Sequence, residues 1–246
     1  MSTASNRTAF VTGGSRGIGA AIVKRLAADG SDVAFTYASD KKSADQLVEE
    51  IQKSGKKAFA IQADSVSAEA VAAAVEQAVT HFGRLDILVN NAGIAIWGNA
   101  SEMPLEDFDK MVNINVRAPF VAIKAASKHL KSGGRIVNIG SINANRMPFE
   151  RGGVYSMTKA AIQGMTRGFA RDFGPLGITI NNIQPGPVNT DMNAETGDFA
   201  EYLKTFIAVG RYGKGEEIAA MVSYLTGPDS GYVNGSSLDI DGGFGS

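Results

Sequence analysis

Short apolar runs alternate along the chain with longer stretches in which hydrophobic positions recur every three or four residues. The short runs lie at 9–11, 33–36, 58–61, 87–89, 135–139, 178–180 and 237–240. They are apolar almost throughout, which suits parallel strands covered on both faces. The longer stretches at 17–29, 67–82 and 105–130 have helical period; in the first, Ile18, Ile22 and Leu26 share one face. Strands alternating with helices predict right-handed βαβ units and a doubly wound sheet of seven parallel strands. Neither an internal repeat nor a linker interrupts the pattern, so a single α/β domain over 1–246 is expected. The least regular region, about 189–214, contains Gly197, Asp198, Gly210 and Gly213. It is expected to be a mobile cover over a site.

Composition narrows the functional classes. Apolar residues make up 44% and charged residues 20%, enough for a sizeable core beneath a polar surface. The net charge of −1, with Lys and Arg scattered among Asp and Glu, argues against nucleic acid or a lipid surface as partner. The absence of cysteine removes disulfides, thiolate metal sites and a cysteine nucleophile. The start, MSTASNRTAF, lacks the apolar core of a secretory signal, and no apolar run approaches the ~20 residues that cross a membrane. A cytoplasmic protein is expected. His81 and His129 sit in helical stretches with no ligand-spaced partner, so no metal site is expected.

The first strand runs straight into Thr12-Gly13-Gly14-Ser15-Arg16-Gly17-Ile18-Gly19. Glycine permits positive φ and close backbone approach, and the helix that follows presents free N–H groups and a partial positive charge. A glycine-rich turn alone is weak evidence. Placed between strand and helix at the start of a βαβ unit, it points to a dinucleotide pyrophosphate. Gly13, Ser15, Arg16, Gly17, Ile18 and Gly19 are its expected contacts.

The glycine spacing, G-x3-G-x-G, is joined by NNAG at 90–93, Asn115 in NINV, Ser141 after NIG, YSMTK at 155–159 and PGPVNT at 185–190. With these motifs in this order, the whole chain resembles the short-chain dehydrogenase/reductase family, and most of all its 3-oxoacyl-acyl-carrier-protein reductase branch. The resemblance implies a Rossmann fold, an oxidoreductase acting on a small-molecule carbonyl, and a homotetramer built through 105–130, 152–174 and the C-terminal strand. It assigns catalysis to Asn115, Ser141, Tyr155 and Lys159. Helix geometry agrees, because positions i and i+4 share a face and can project Tyr155 and Lys159 into one cleft. A nearby ammonium is expected to lower the phenol's pKa and tune it as a proton donor. By resemblance, Ser141 orients the carbonyl oxygen, Lys159 also holds the nicotinamide ribose, and Asn115 anchors a water chain returning protons to Lys159. Asp64 and Ser65 would meet the adenine side; a helix-capping turn is the other reading, for Ser65 and Ser67. Asn91, Ala92 and Gly93 would approach the cofactor, and Pro185, Gly186, Val188 and Thr190 would line its nicotinamide.

No carboxylate ends the second strand, which reads on through Tyr37, Ala38 and Ser39. An NAD enzyme usually carries one there for the ribose 2′-hydroxyl. Arg16, Ser39 and Lys41 or Lys42 are available for a 2′-phosphate instead, so NADPH is expected over NADH, although Asp40 complicates the picture. Met147, Met157 and Met192 flank the expected cleft, and Trp97 either walls it or packs a loop. SINANRMPF, GMTRGFARDFGP and QPGPVNTD also resemble short-chain-dehydrogenase-like proteins that bind cyclic di-GMP in biofilm dispersal. In that reading Arg16, Arg146 or Arg151 would meet phosphates. The complete catalytic set favours the enzyme.

Overall fold

The computed structural model describes residues 7–246. The expectation drawn from MSTASNRTAF falls partly outside it, since residues 1–6 are not described. Seven strands, all parallel, form one sheet in the order β3-β2-β1-β4-β5-β6-β7. They are β1 (Thr8–Val11), β2 (Asp32–Tyr37), β3 (Ala58–Gln62), β4 (Ile87–Asn90), β5 (Arg135–Ile139), β6 (Thr179–Pro185) and β7 (Ser237–Ile240). The chain builds outward from β1 to β3, then returns to β4 on the other side of β1. That reversal opens a crevice beyond the carboxyl ends of β1 and β4.

The two-residue period of each strand divides the core. Ala9 and Val11 of β1 face one side with Val33, Phe35, Val89 and Val137, while Phe10 faces the other with Ala34, Leu88, Ile136 and Ile180. Helices α1 (Gly17–Ala28), α2 (Lys41–Lys53) and α8 (Gly215–Thr226) cover the first side through Ile22, Leu26, Leu47, Ile218 and Val222. Helices α3 (Ala68–Phe82), α5 (Ala118–Ala126) and α6 (Gly153–Phe173) cover the second through Val71, Val75, Ile123 and Ile162's neighbours Met165 and Phe169. Because both faces are covered, every residue of β1, β4, β5 and β6 is buried.

Two expectations are corrected. The sixth strand does not stop at 180 but runs to Pro185 through the polar stretch Asn181, Asn182, Gln184. Their amide N–H groups are partnered, Asn181 Nδ2 donating to Val233 O at 2.7 Å and Asn182 Nδ2 to Ser237 Oγ at 3.1 Å, while Asn182 Oδ1 is buried without a partner. The stretch 105–130 is not one regular helix. It comprises α4 (Leu105–Val112), a π-helical turn (Asn113–Arg117) and α5, which ends at Ala126. A one-turn π insertion shifts the side-chain register and commonly marks a functional position; here the turn holds Asn115. Among the described residues, no helix is long and apolar enough to cross a membrane.

Candidate active site

The glycine-rich turn is held in shape from both flanks. Asn91 Nδ2 donates to Thr12 O at 3.0 Å and Gly13 O at 2.9 Å, while Thr12 Oγ1 accepts from the backbone N–H groups of Asn91 and Ala92. From β2, Thr36 Oγ1 accepts from Gly13 N at 2.9 Å. Gly13 and Gly17 adopt φ of 63° and 53°. At Gly19 the constraint is contact instead: a Cβ there would stand 2.1 Å from Gly13 O and 2.6 Å from Asn91 Nδ2. Gly14, which the motif reading passed over, is equally constrained, since a Cβ would meet Phe35 Cβ at 2.5 Å. The start of α1 has no side-chain cap and no acidic residue in its first turn. Its N–H groups and dipole are thus free for an anion at the crevice.

A cleft of about 370 Å³ opens over this turn. It is bordered by Gly13, Ser15, Arg16, Gly17, Ile18 and Gly19 on one side, then by Tyr37, Asp64 and Ser65. Asn91, Ala92, Gly93, Ser141, Tyr155 and Lys159 form its middle, and Pro185, Gly186, Val188 and Thr190 its far wall. Ser39 does not border the cleft; Thr36, Ala38 and Ala63 do. The lysines expected near a 2′-phosphate are also engaged elsewhere or outside the lining. Lys41 Nζ donates to Asp45 Oδ2 at 2.6 Å, one helical turn along. Asp40 caps α2 by accepting from Ser43 N and Oγ, which holds its carboxyl below the usual range. Of the expected phosphate group, Arg16 alone borders the cleft, with Nη1 3.6 Å from Asp191 Oδ2 across the opening. Asp64 Oδ1 accepts from Val66 N at 3.0 Å, and the capping role falls to Ser67, which accepts from Ala70 N.

The reactive groups come from three elements. Ser141 follows β5 and starts a short 3₁₀ turn, its Oγ accepting from Asn143 N at 3.1 Å. Tyr155 and Lys159 lie on the first turns of α6, with Lys159 Nζ 5.7 Å from the Tyr155 ring centre. Lys159 donates to the main-chain oxygen of Ile139 at 3.1 Å, and burial lowers its pKa to about 8. The expected effect on Tyr155 is corrected. Burial pushes its phenol up, and the opposing pull comes from a hydrogen bond with Ser141 rather than from Lys159. The ammonium is directed at Ile139, and a phenolate buried against Trp97 and the sheet lacks the hydration that would favour it.

Asn115 holds the centre together. Its Oδ1 accepts from Ile94 N at 2.9 Å, while Nδ2 donates to Ile94 O at 2.8 Å and to Thr158 Oγ1 at 3.1 Å. Thr158 in turn donates to Tyr155 O at 2.7 Å. Gly93 makes the closeness possible: a Cβ there would stand 3.3 Å from Lys159 Nζ and 3.4 Å from Asn115 Oδ1. Thr12, Thr36 and Thr158 are parts that the sequence reading missed. Thr12 opens the glycine motif and Thr158 lies inside YSMTK, but nothing in the pattern marks Thr36.

The family model described as "Enoyl-(Acyl carrier protein) reductase" matches residues 13–245. The chain belongs to the short-chain dehydrogenase/reductase family. It is 55% identical to a short-chain dehydrogenase/reductase from Serratia marcescens, covering 99% of this chain and 100% of that one with a TM-score of 0.98. A Burkholderia cenocepacia short-chain dehydrogenase in complex with NADP is 49% identical, covering 98% of both chains, with a TM-score of 0.96. The cyclic-di-GMP-binding biofilm dispersal mediator protein of Escherichia coli K12 is 45% identical over 245 residues, 100% of each chain.

Around this short-chain dehydrogenase/reductase site, the segment 189–214 is pinned at its base. Gly213 N donates to Pro187 O at 2.9 Å and Asn189 N to Gly213 O at 3.0 Å. Its helix α7 (Asp198–Lys204) packs Ala200 and Leu203 on Ile142, Ile207, Tyr212 and Phe244. Arg146 serves this region, donating from Nη1 to Phe244 O and Ser246 O at 2.7 Å each. Arg151 occupies a turn with φ of 70°. Met192 borders the cleft, whereas Met147 packs over Gly152 and Met157, outside the cleft lining, is about half exposed. Among the described residues no cluster suits a metal ion: His81 stacks on Phe59, and His129 pairs with Glu76.

Proposed function

We propose that this short-chain dehydrogenase/reductase is an NADPH-dependent carbonyl reductase, an oxidoreductase that converts a ketone or aldehyde to an alcohol reversibly. The observation that carries the reading is the convergence of Tyr155, Ser141 and Lys159 on one cleft whose floor is the uncapped start of α1. The residues fit a dinucleotide. The backbone cradle leaves no room for a Cβ at Gly14 or Gly19, and positive helix-dipole charge stands where a pyrophosphate would lie. Arg16 at the rim, with no carboxylate ending β2, favours a 2′-phosphate over a bare 2′-hydroxyl. Asp64 and Ser65 border the adenine side in this reading, and Val188 and Thr190 the nicotinamide side.

The nicotinamide, when bound, supplies the hydride. Tyr155 gives its phenolic proton to the substrate oxygen as negative charge develops there. The raised pKa keeps the phenol protonated at neutral pH, the form that reduction consumes. Ser141 holds the same oxygen by its hydroxyl. Lys159, with a pKa of about 8, can lose and regain a proton near neutrality and so reprotonates Tyr155. Asn115 fixes the Ile94 and Thr158 positions and anchors the water chain that serves Lys159.

In the same reading residues 1–246 act as one unit, with 189–214 as its cover. The molecule is a cytoplasmic homotetramer. The face that joins Phe120 of α5 to Phe169 of α6, ring centres 6.2 Å apart, suits a second copy, since Phe120 is 44% exposed. Titration with NADPH and NADH, followed by an activated ketone, tests the proposal. Tighter NADPH binding and consumption of the reduced cofactor are expected.

The 45% identity to the Escherichia coli mediator supports a second reading, a cyclic di-GMP-binding regulatory protein on the same scaffold. Arg16 is the exposed cation at the cleft rim, whereas Arg146 already serves two main-chain oxygens. Binding of cyclic di-GMP that competes with NADPH, without consumption of any carbonyl, would select this reading.

A further inference from the structure

A run of rings leads away from Tyr155. Trp97 lies 5.5 Å from the Tyr155 ring and 5.4 Å from Phe149; Phe149 lies 5.8 Å from Phe199, and Phe199 6.5 Å from Tyr202. Tyr202 continues to Phe206 at 5.0 Å and Phe206 to Phe244 at 6.1 Å. Four separate segments supply these rings: the stretch after β4, the loop after Ser141, the 189–214 segment that contains α7, and the C-terminal stretch after β7. No single helix or strand period places them together.

The two ends of the run differ. Phe244 is 1% exposed and fills the core beneath α7. Trp97, Phe199 and Tyr202 are 42%, 54% and 47% exposed. Rings needed only to pack a loop are buried by it; a contiguous uncovered set marks a surface that something else covers. Trp97 lies outside the cleft lining itself but stands at its edge, 5.5 Å from the ring of the proposed proton donor, so a substituent that leaves the cleft beside Tyr155 has Trp97 as its first aromatic neighbour. A ring joined directly to the substrate carbonyl falls within the 4.5–7 Å separation at which aromatic pairs attract.

We propose that Trp97, Phe149 and Phe199 form a wall that selects aromatic carbonyl substrates, aryl ketones or fused-ring compounds, over aliphatic ones. The inference rests on the reductase reading for the chemistry but not for the binding. Trp97 sets the face against which the ring adjoining the carbonyl packs, and Phe199 extends the contact to a second ring.

The test compares phenyl trifluoromethyl ketone with cyclohexyl trifluoromethyl ketone, similar in size and activation, using the full chain and NADPH. An aryl preference in kcat/KM is expected, and Trp97→Leu and Phe199→Leu each reduce it by about two- to tenfold while keeping apolar bulk. A binding readout needs no turnover, because Trp97 is the chain's only tryptophan. With NADP⁺ present, an unreactive aryl carboxamide is expected to quench its emission and the cyclohexyl analogue to leave it. Equal turnover of both ketones, unaltered by either variant, overturns the wall and leaves the reductase standing. No turnover of either ketone with quenching retained overturns the reductase and leaves the wall. Emission that ignores both carboxamides but shifts with protein concentration assigns the rings to a second copy of the chain and overturns the proposal.

Discussion

Lys159 donates from Nζ to the main-chain oxygen of Ile139 at 3.1 Å, with its side chain buried beneath Gly93. One carbonyl does not replace the hydration of an ammonium, and the pKa falls from 10.5 to about 8. Between those values the folded chain has released a proton that the unfolded chain retains. Stability therefore rises with pH from about 8 to 10.5, and the cost of the buried charge is fully present below 8. The rise amounts to about 3 kcal/mol. Urea midpoints measured across that range are expected to climb in the wild type more than in Lys159→Met. Parallel curves would show that Lys159 keeps an ordinary pKa.

Gly19→Ala sets helix propensity against contact. Alanine in a helix gains up to about 1 kcal/mol over glycine. Its Cβ here would stand 2.1 Å from Gly13 O, and overpacking costs about 1–3 kcal/mol. Contact wins, and the displaced turn is expected to weaken NADPH binding at least about tenfold. Gly164→Ala in α6, where nothing lies within 4 Å, is the control and is expected to stabilise by about 0.5–1 kcal/mol. Thermal unfolding beside NADPH titration reads both; equal effects would refute the contact argument.

Asn115→Ala removes partners from Ile94 N, Ile94 O and Thr158 Oγ1 together. Leaving such groups unsatisfied costs on the order of 2–3 kcal/mol in sum after relaxation. Urea unfolding should show that loss, and kcat should fall more than NADPH affinity. A variant with native stability would mean that water replaces the amide.

Phe244→Ala empties the core beneath α7, where Phe244 meets Phe206 and Arg146 holds its carbonyl. Phenylalanine to alanine in a core costs about 3–5 kcal/mol. Because this cluster is separate from the two sheet cores, the loss is expected locally. Limited proteolysis should cut within 189–214, and KM for the carbonyl should rise, with NADPH binding preserved. Cleavage spread over the chain would contradict a separate cover.

How far the sequence carried depended on the kind of residue. Strands such as β1 and β4 were legible because burial on both faces demands apolar runs, and the glycine motif was legible because backbone approach demands glycine. β6 was cut short because the burial of Asn181, Asn182 and Gln184 rests on cross-strand partners that no local pattern shows. The π turn at Asn113–Arg117 interrupts an apparently continuous helix without breaking its apolar period, so the pattern does not show it. Lys41 and Ser39 looked available in the sequence, but Lys41 turns along α2 to Asp45, and Ser39, between β2 and α2, lies outside the cleft lining. Tyr155 and Lys159 lie one turn apart on α6 as the spacing implies, while the direction of the phenol's shift depends on burial, which outweighs the hydrogen bond with Ser141.

The most direct test of the reductase account is absorbance of reduced nicotinamide, followed with an activated ketone, for wild type beside Tyr155→Phe. The phenyl ring and its contact with Trp97 are kept in that variant, and the proton is removed. The account predicts consumption of NADPH by wild type, a loss of at least about a thousandfold in the variant, and NADPH binding within about twofold of normal. Turnover by the variant near the wild-type rate, or wild type that binds NADPH and consumes it with no carbonyl, would contradict it.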